Sequence, residues 1–193
     1  MNVTTLTRNS SQEFSAALRA SPADTYIAKT IDVPVEAKDA PTGDTYTQGC
    51  RFHALLRRIS DNGPLNAAEK QMLPWLTTAR GELRKAGVTY IEPEVSLGRS
   101  DGETSGQCDL LLEGGYADIG VAEFKVVSIL PEQPQAKHLF QLACYAELTA
   151  GDYDQPRVWG ALAYVSFSER KVRLFSFKNT VSLRRHVRPL LAA

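Results

Sequence analysis

The stretch GQCDLLLEGGYADIGVAEFK (residues 106–125) carries Asp109, Glu123 and Lys125 on a background that is otherwise apolar. It reads as two strands joined by a Gly-rich turn, a setting in which a core face rejects charge. Alternation along the second strand puts Glu123 and Lys125 on one face and Phe124 on the other. A hairpin centred near Tyr116 sets Asp109 about opposite Glu123. Directly opposed residues have Cβ atoms roughly 5 Å apart, close enough for two carboxylates to share a divalent cation.

The elements that must position this hairpin follow from the periodicity. Ser10 or Ser11 can cap a short helix with Phe14 and Leu18 on its apolar side. Residues 31–48 hold Pro34, Pro41 and Gly43 and predict irregular structure. QGCRFHALLRRISDNG puts Phe52, Leu56 and Ile59 at helical spacing, with His53 beside the stripe and Asn62-Gly63 as the stop. A further helical region covers residues 66–86, bent or restarted at Pro74. VTYIEPEVSL, the hairpin, RVWGALAYVSF and KVRLFSF supply about five strands. Between them, QAKHLFQLACYAELTAG predicts a helix, and Asn179 can cap a last one with Leu183, Val187 and Leu190. The pattern predicts an α/β fold, a mixed central sheet flanked by helices. One domain over residues 1–193 suits the length, with an N-terminal helical elaboration over about residues 1–48.

Composition excludes little. Hydrophobic content is 43% and charged content 23%, ordinary for a globular protein. No apolar run approaches the ~20 residues of a membrane span, and MNVTTLTRNSSQEF lacks a signal-peptide pattern, so a cytoplasmic protein without membrane contact is expected. Cys50, Cys108 and Cys144 are odd in number and widely spaced, which argues against a disulfide framework or a thiolate zinc site. Net charge is zero, but its distribution is uneven. Residues 92–123 carry eight acids against Arg99 alone, and residues 169–193 carry seven bases against Glu169 alone. An acidic middle and a basic tail suit a cation site beside a polyanion track. A solvated strand edge and helix face account for the tail equally well.

Gly106-Gln-Cys-Asp109 followed by Glu123-Phe-Lys125 resembles the signature of the PD-(D/E)XK nucleases. Gly49-Cys-Arg-Phe-His53 resembles the helix-borne G-x-x-x-H of that superfamily's RecB-type branch, and Gln141-Leu-Ala-Cys-Tyr145 resembles its Q-x-x-x-Y motif. The pieces occur in the branch's order over residues 49–145, about half the chain. Cys108 stands where the superfamily name has proline. The resemblance implies a restriction-endonuclease-like core and a metal-dependent deoxyribonuclease, of exonuclease type, serving recombination, repair or defence and related to phage-type recombination exonucleases.

By this resemblance Asp109, Glu123 and Lys125 are catalytic, and His53, Asp109, Glu123 and the Phe124 carbonyl face the metal. Carboxylates suit Mg²⁺ or Mn²⁺, and an imidazole ligand is accepted more readily by Mn²⁺. Lys125, on the face of Glu123, positions water or stabilises charge at the phosphate, with a role as base left open. Gln141 and Tyr145, one turn apart, hold the DNA strand, with Tyr145 stacking on a base or bonding a phosphate. Arg184 and Arg185 in the basic tail are further DNA contacts. Glu94 reads as a surface charge before an auxiliary acid, and His138 and His186 as packing or phosphate contacts.

The cysteine spacing predicts no iron–sulfur cluster, and the absence of GxxxxGK[ST] predicts no ATP-driven motor. DNA is the expected partner, with a homo-oligomer or a recombination partner protein as further assemblies. Two other readings stand beside the nuclease. One is a non-catalytic DNA-binding or assembly protein on a nuclease-like fold. The other is an unrelated α/β protein whose charged hairpin is a partner surface.

Overall fold

A strand without polar alternation must be covered on both faces, and VWGALAYVS is such a strand, buried along its whole length. It is β5 (Val158–Ser166) of a six-stranded sheet in a computed structural model that describes residues 2, 3, 14, 26–98, 104–155 and 157–191. The others are β1 (Tyr26–Asp32), β2 (Val88–Gly98), β3 (Ser105–Gly114), β4 (Ile119–Val126) and β6 (Lys171–Phe177). Their order is β1-β6-β5-β4-β3-β2. The β4–β5 pair is parallel and every other pair antiparallel. The fold is therefore mixed α/β, as expected, with one strand more than the five read from the sequence.

The additional strand is β1. It lies where a helical elaboration is expected, and its exposed edge position explains the omission. Only Tyr26 and Ile31 are half-buried, so it shows no alternation of apolar and polar residues. The expected cap at Ser10 or Ser11 and Leu18 lie outside the described residues. Phe14 is helical and buried, its ring edge-on to Phe140 at 5.1 Å.

Helices cover both faces. α1 (Thr45–Ser60) starts at Asp44, whose carboxylate accepts the Thr47 N–H at 2.9 Å, and gives way to Asn62 in the left-handed region. α2 (Ala67–Lys85) opens with a reciprocal Asn66–Glu69 capping box and runs through Pro74 as one helix, where a bend or restart is expected. Their apolar stripes, Phe52, Leu55 and Leu56 from α1 and Met72, Trp75 and Leu76 from α2, pack on one face of the sheet. α3 (Ala136–Asp152) is the crossover between parallel β4 and β5. It covers the other face together with α4 (Val181–Leu191), where Asn179 accepts the first N–H as anticipated. None of the described helices is long and apolar enough to cross a membrane.

The basic tail divides in two. Arg184 is 5% exposed and its Nε donates to Glu147 of α3 at 2.7 Å, so it fastens α4 to α3 and is withheld from a polyanion. This corrects its assignment as a DNA contact. Arg185, the next residue, is exposed. Arg184→Glu should therefore cost about 3–5 kcal/mol of unfolding free energy, the penalty for breaking a buried pair. Arg185→Glu should stay within about 0.5 kcal/mol of wild type. Urea melts of the two variants check this.

Candidate metal centre

The site forms where the sheet forks. The β3–β4 ladder runs from Glu113↔Ile119 to Leu110↔Ala122, and Asp109 and Glu123 are the next pair in that register. There the ladder stops. β3 stays with β2 as far as Gly98↔Ser105, and β4 stays with β5 as far as Val126↔Val165. Carboxylates take the place of the missing ladder bonds. The Phe124 N–H donates to Asp109 Oδ2 at 2.7 Å, and the Asp109 N–H points to Glu123 Oε1 at 3.4 Å. The hairpin register read from the sequence is thus the one observed.

Packing on the α1 side carries His53 to this fork. The Phe52 ring lies 5.2 Å from that of Phe124, both fully buried, which locks α1 over β4. The next residue, His53, then reaches Asp109 Oδ1 with Nδ1 at 3.0 Å. Burial disfavours the imidazolium, but the hydrogen bond and charge of Asp109 outweigh it, so the His53 pKa is raised.

Glu94 corrects the sequence reading most. It follows Pro93 inside β2 and adopts φ +58°, a left-handed conformation that costs a glutamate about 1–2 kcal/mol. One ligand atom from each of His53, Glu94 and Asp109 falls within 4.8 Å of the others, the only such group found among the described residues. The Oε1 of Glu94 is buried and has no hydrogen-bond partner in that set. Burial, reinforced by the Asp109 charge, raises its pKa. Clustered ligand atoms with an orphaned carboxylate oxygen fit a divalent ion, and two acids with an imidazole fit Mn²⁺ or Mg²⁺ in donor type. The acid beside a strand proline was the available signal, since proline inside a strand marks a bulge or an irregular turn of the chain.

Glu123 lies beside this group, 1% exposed, with Oε2 accepting from Lys125 Nζ at 2.8 Å. Burial pushes its pKa up to about 7, with the Asp109 charge adding and the Lys125 charge opposing. For Lys125, burial works against the ammonium, yet the charges of Glu123 and Asp109 prevail and raise its pKa. The Phe124 backbone touches Asp109 through its N–H, and its ring anchors the strand.

On the opposite face, α3 brings Gln141 and Tyr145 together, the amide donating to the phenol at 3.2 Å. Tyr145 is 2% exposed and closed over by Gly106, where a Cβ would sit 2.6 Å from the ring and 3.0 Å from Val3 Cβ. Stacking of Tyr145 on a base is thereby ruled out by packing, and its burial raises the phenol pKa. Gln141 is half-buried. His138 packs, with Nδ1 2.9 Å from the Tyr164 hydroxyl, which also accepts the Gln135 N–H. Burial, helped by the Lys125 and Lys137 charges, lowers its pKa to about 3, so it is no phosphate-binding cation. His186 meets the edge of Phe14. Cys108 and Cys144 are buried and Cys50 exposed.

No protein-family model matches this chain, and no curated protein sequence does. Among solved structures it is similar to an alkaline exonuclease (LHK-Exo) from Laribacter hongkongensis, at 13% identity over 81% of each chain with a TM-score of 0.41. It is also similar to SSO0001, at 17% identity over 72% of this chain and 71% of that one, TM-score 0.38. The functional reading rests on the site's own geometry.

A ligand that binds only the folded state raises its stability, by about 2.7 kcal/mol at a hundred times Kd. Mn²⁺ should therefore raise the wild-type melting temperature, and Glu94→Gln and Asp109→Asn should each abolish most of that rise. An equal rise in all three proteins would remove the site.

Proposed function

We propose that this chain is a divalent-metal-dependent nuclease hydrolysing phosphodiester bonds in DNA. The observation that carries the reading is the fork itself. His53, Glu94 and Asp109 present clustered ligand atoms, and the Lys125 ammonium is held beside them by Glu123. A structural ion pair alone explains neither the strained Glu94 nor its orphaned oxygen. The order of motifs that resembles the RecB-type branch supports the same reading, and exonuclease action in recombination or repair is its finer form.

His53, Glu94, Asp109 and, through its neighbouring carboxylate, Glu123 are the groups to hold Mg²⁺ or Mn²⁺. Bound there, such an ion neutralises phosphate oxygens and makes a coordinated water more acidic. The protein residues supply the rest. Lys125, fixed by Glu123, presents a positive charge to the oxygens of the scissile phosphate and stabilises the charge that grows on them as phosphorus becomes five-coordinate. A protonated lysine has no lone pair, so this role precedes any as base. Asp109 receives the Phe124 N–H and the His53 N–H at once, which holds its carboxylate in one orientation. Gln141, half-buried on α3, offers an amide to water or to the strand backbone.

Incubation with linear duplex, closed circular and single-stranded DNA, with Mg²⁺, Mn²⁺ or EDTA, tests the reading. Cleavage should need the metal, and cutting of linear but not closed circular duplex marks an exonuclease. Lys125→Ala should retain Mn²⁺ binding while losing on the order of a hundredfold or more in rate. If the wild type leaves every DNA form intact, the deoxyribonuclease reading fails. If Lys125→Ala cleaves as well as wild type, the site assignment fails.

A further inference from the structure

With Tyr145 enclosed, the aromatic surface beside the metal group lies elsewhere. Tyr46 is 82% exposed, in the first turn of α1. Its side chain has no hydrogen-bond or ring partner among the described residues. The backbone that carries it is nonetheless fixed, because Asp44 caps the same turn through both the N–H and the hydroxyl of Thr47. Tyr46 lines a groove of about 530 Å³ that continues past Gly49 and His53 to Arg57 and Lys125.

Spacing along α1 explains the groove. Tyr46, Gly49, His53 and Arg57 recur at intervals of three and four and so form one stripe. Gly49 leaves the middle of that stripe low; a Cβ there would meet only Val126, at 3.9 Å. Arg57 and Lys125 place positive charge in the same groove, and Arg57 forms no ion pair among the described residues. At 1.5 Å per residue, Tyr46 lies about 10 Å along the helix from His53. An aromatic platform, a low apolar floor and cations at the metal end match one chemical class, a nucleotide with its phosphate toward the metal group and its base on the ring.

We infer that Tyr46 is the stacking platform for an unstacked base of the substrate strand, so that the groove receives single-stranded nucleic acid or a frayed end. A base inside a duplex has both faces covered by its neighbours and can offer none to Tyr46. This rests on the nuclease reading for its substrate and adds which form of it enters the site.

Binding measured with Ca²⁺ in place of Mg²⁺ keeps the test independent of turnover. Fluorescence anisotropy should show a labelled single strand binding wild type more tightly than a blunt hairpin duplex of equal length. Tyr46→Ala should weaken the strand by roughly 5- to 150-fold, the span of base–aromatic stacking, with duplex affinity within about twofold. Tyr46→Phe and Tyr46→Trp should keep strand affinity within about threefold. Gly49→Leu, which fills the groove, should lose it, and all four variants should bind Mn²⁺ as wild type does. Unchanged strand affinity in Tyr46→Ala or Gly49→Leu overturns the inference, as does Tyr46→Phe binding as weakly as Tyr46→Ala. If wild type cuts DNA while Tyr46→Ala binds normally, the subsite alone is lost. If wild type cuts nothing while Tyr46→Ala loses the strand, the subsite stands and the nuclease reading falls.

Discussion

The Phe124 N–H bonded to Asp109 Oδ2 is the contact on which the site depends. A sheet that continued its β3–β4 ladder past Leu110↔Ala122 would satisfy its amides from the neighbouring strand and leave no room for acids between the strands. Here the ladder ends and a carboxylate accepts the freed amide. A charge-assisted bond of this kind is roughly twice as strong as a neutral one, which offsets part of the cost of burying Asp109. The same bond fixes the orientation from which Asp109 meets His53. Fork, carboxylate and imidazole are thus joined through Asp109 in one arrangement.

Charge at the fork is unevenly balanced among the described residues. Glu94, Asp109 and Glu123 bring three carboxylates, answered nearby by Lys125, by Arg57 toward Glu94 and, when protonated, by His53. The raised pKa values of Glu94 and Glu123, set first by burial and then by Asp109, show that the carboxylates stand in a less favourable field than in water. Buried acids are ordinarily paired or neutral. Added positive charge beside the clustered ligand atoms of His53, Glu94 and Asp109 would relieve that conflict. Glu94 stands in this field in a left-handed conformation, directly after a strand proline.

How much of this was legible in the chain depends on whether the signal was local. The hairpin register follows from turn length and strand alternation, both local, so the Asp109–Glu123 pairing was readable. His53 was readable as a helix position from periodicity, and as a neighbour of Asp109 only through the motif resemblance, because that contact is set by Phe52 against Phe124 across the sheet. Glu94 was set aside because strand alternation predicts its direction only if β2 is regular, and φ +58° breaks that rule at this residue. β1 was missed because an exposed edge strand has little apolar pattern to show. Tyr145 and Arg184 were misjudged for one reason. Aromatic and cationic residue types suggest contact with nucleic acid, but only tertiary packing decides whether they face solvent, and here Gly106 and Glu147 face them.

α1 shows how one helix can serve packing and site together. Phe52, Leu55 and Leu56 point into the core between α1 and the sheet, where their burial sets the height of the helix over β4. Tyr46, Gly49, His53 and Arg57 occupy the adjoining stripe and line the groove. Because 3.6 residues make a turn, a stripe of four such positions cannot tilt independently of the core stripe beside it. The position of the Tyr46–His53 stripe over the sheet is therefore set by hydrophobic packing on the adjoining face of the same helix. A helix, rather than a loop, carries both His53 and Tyr46, and side chains on a packed helix keep their relative positions more closely than side chains on a loop.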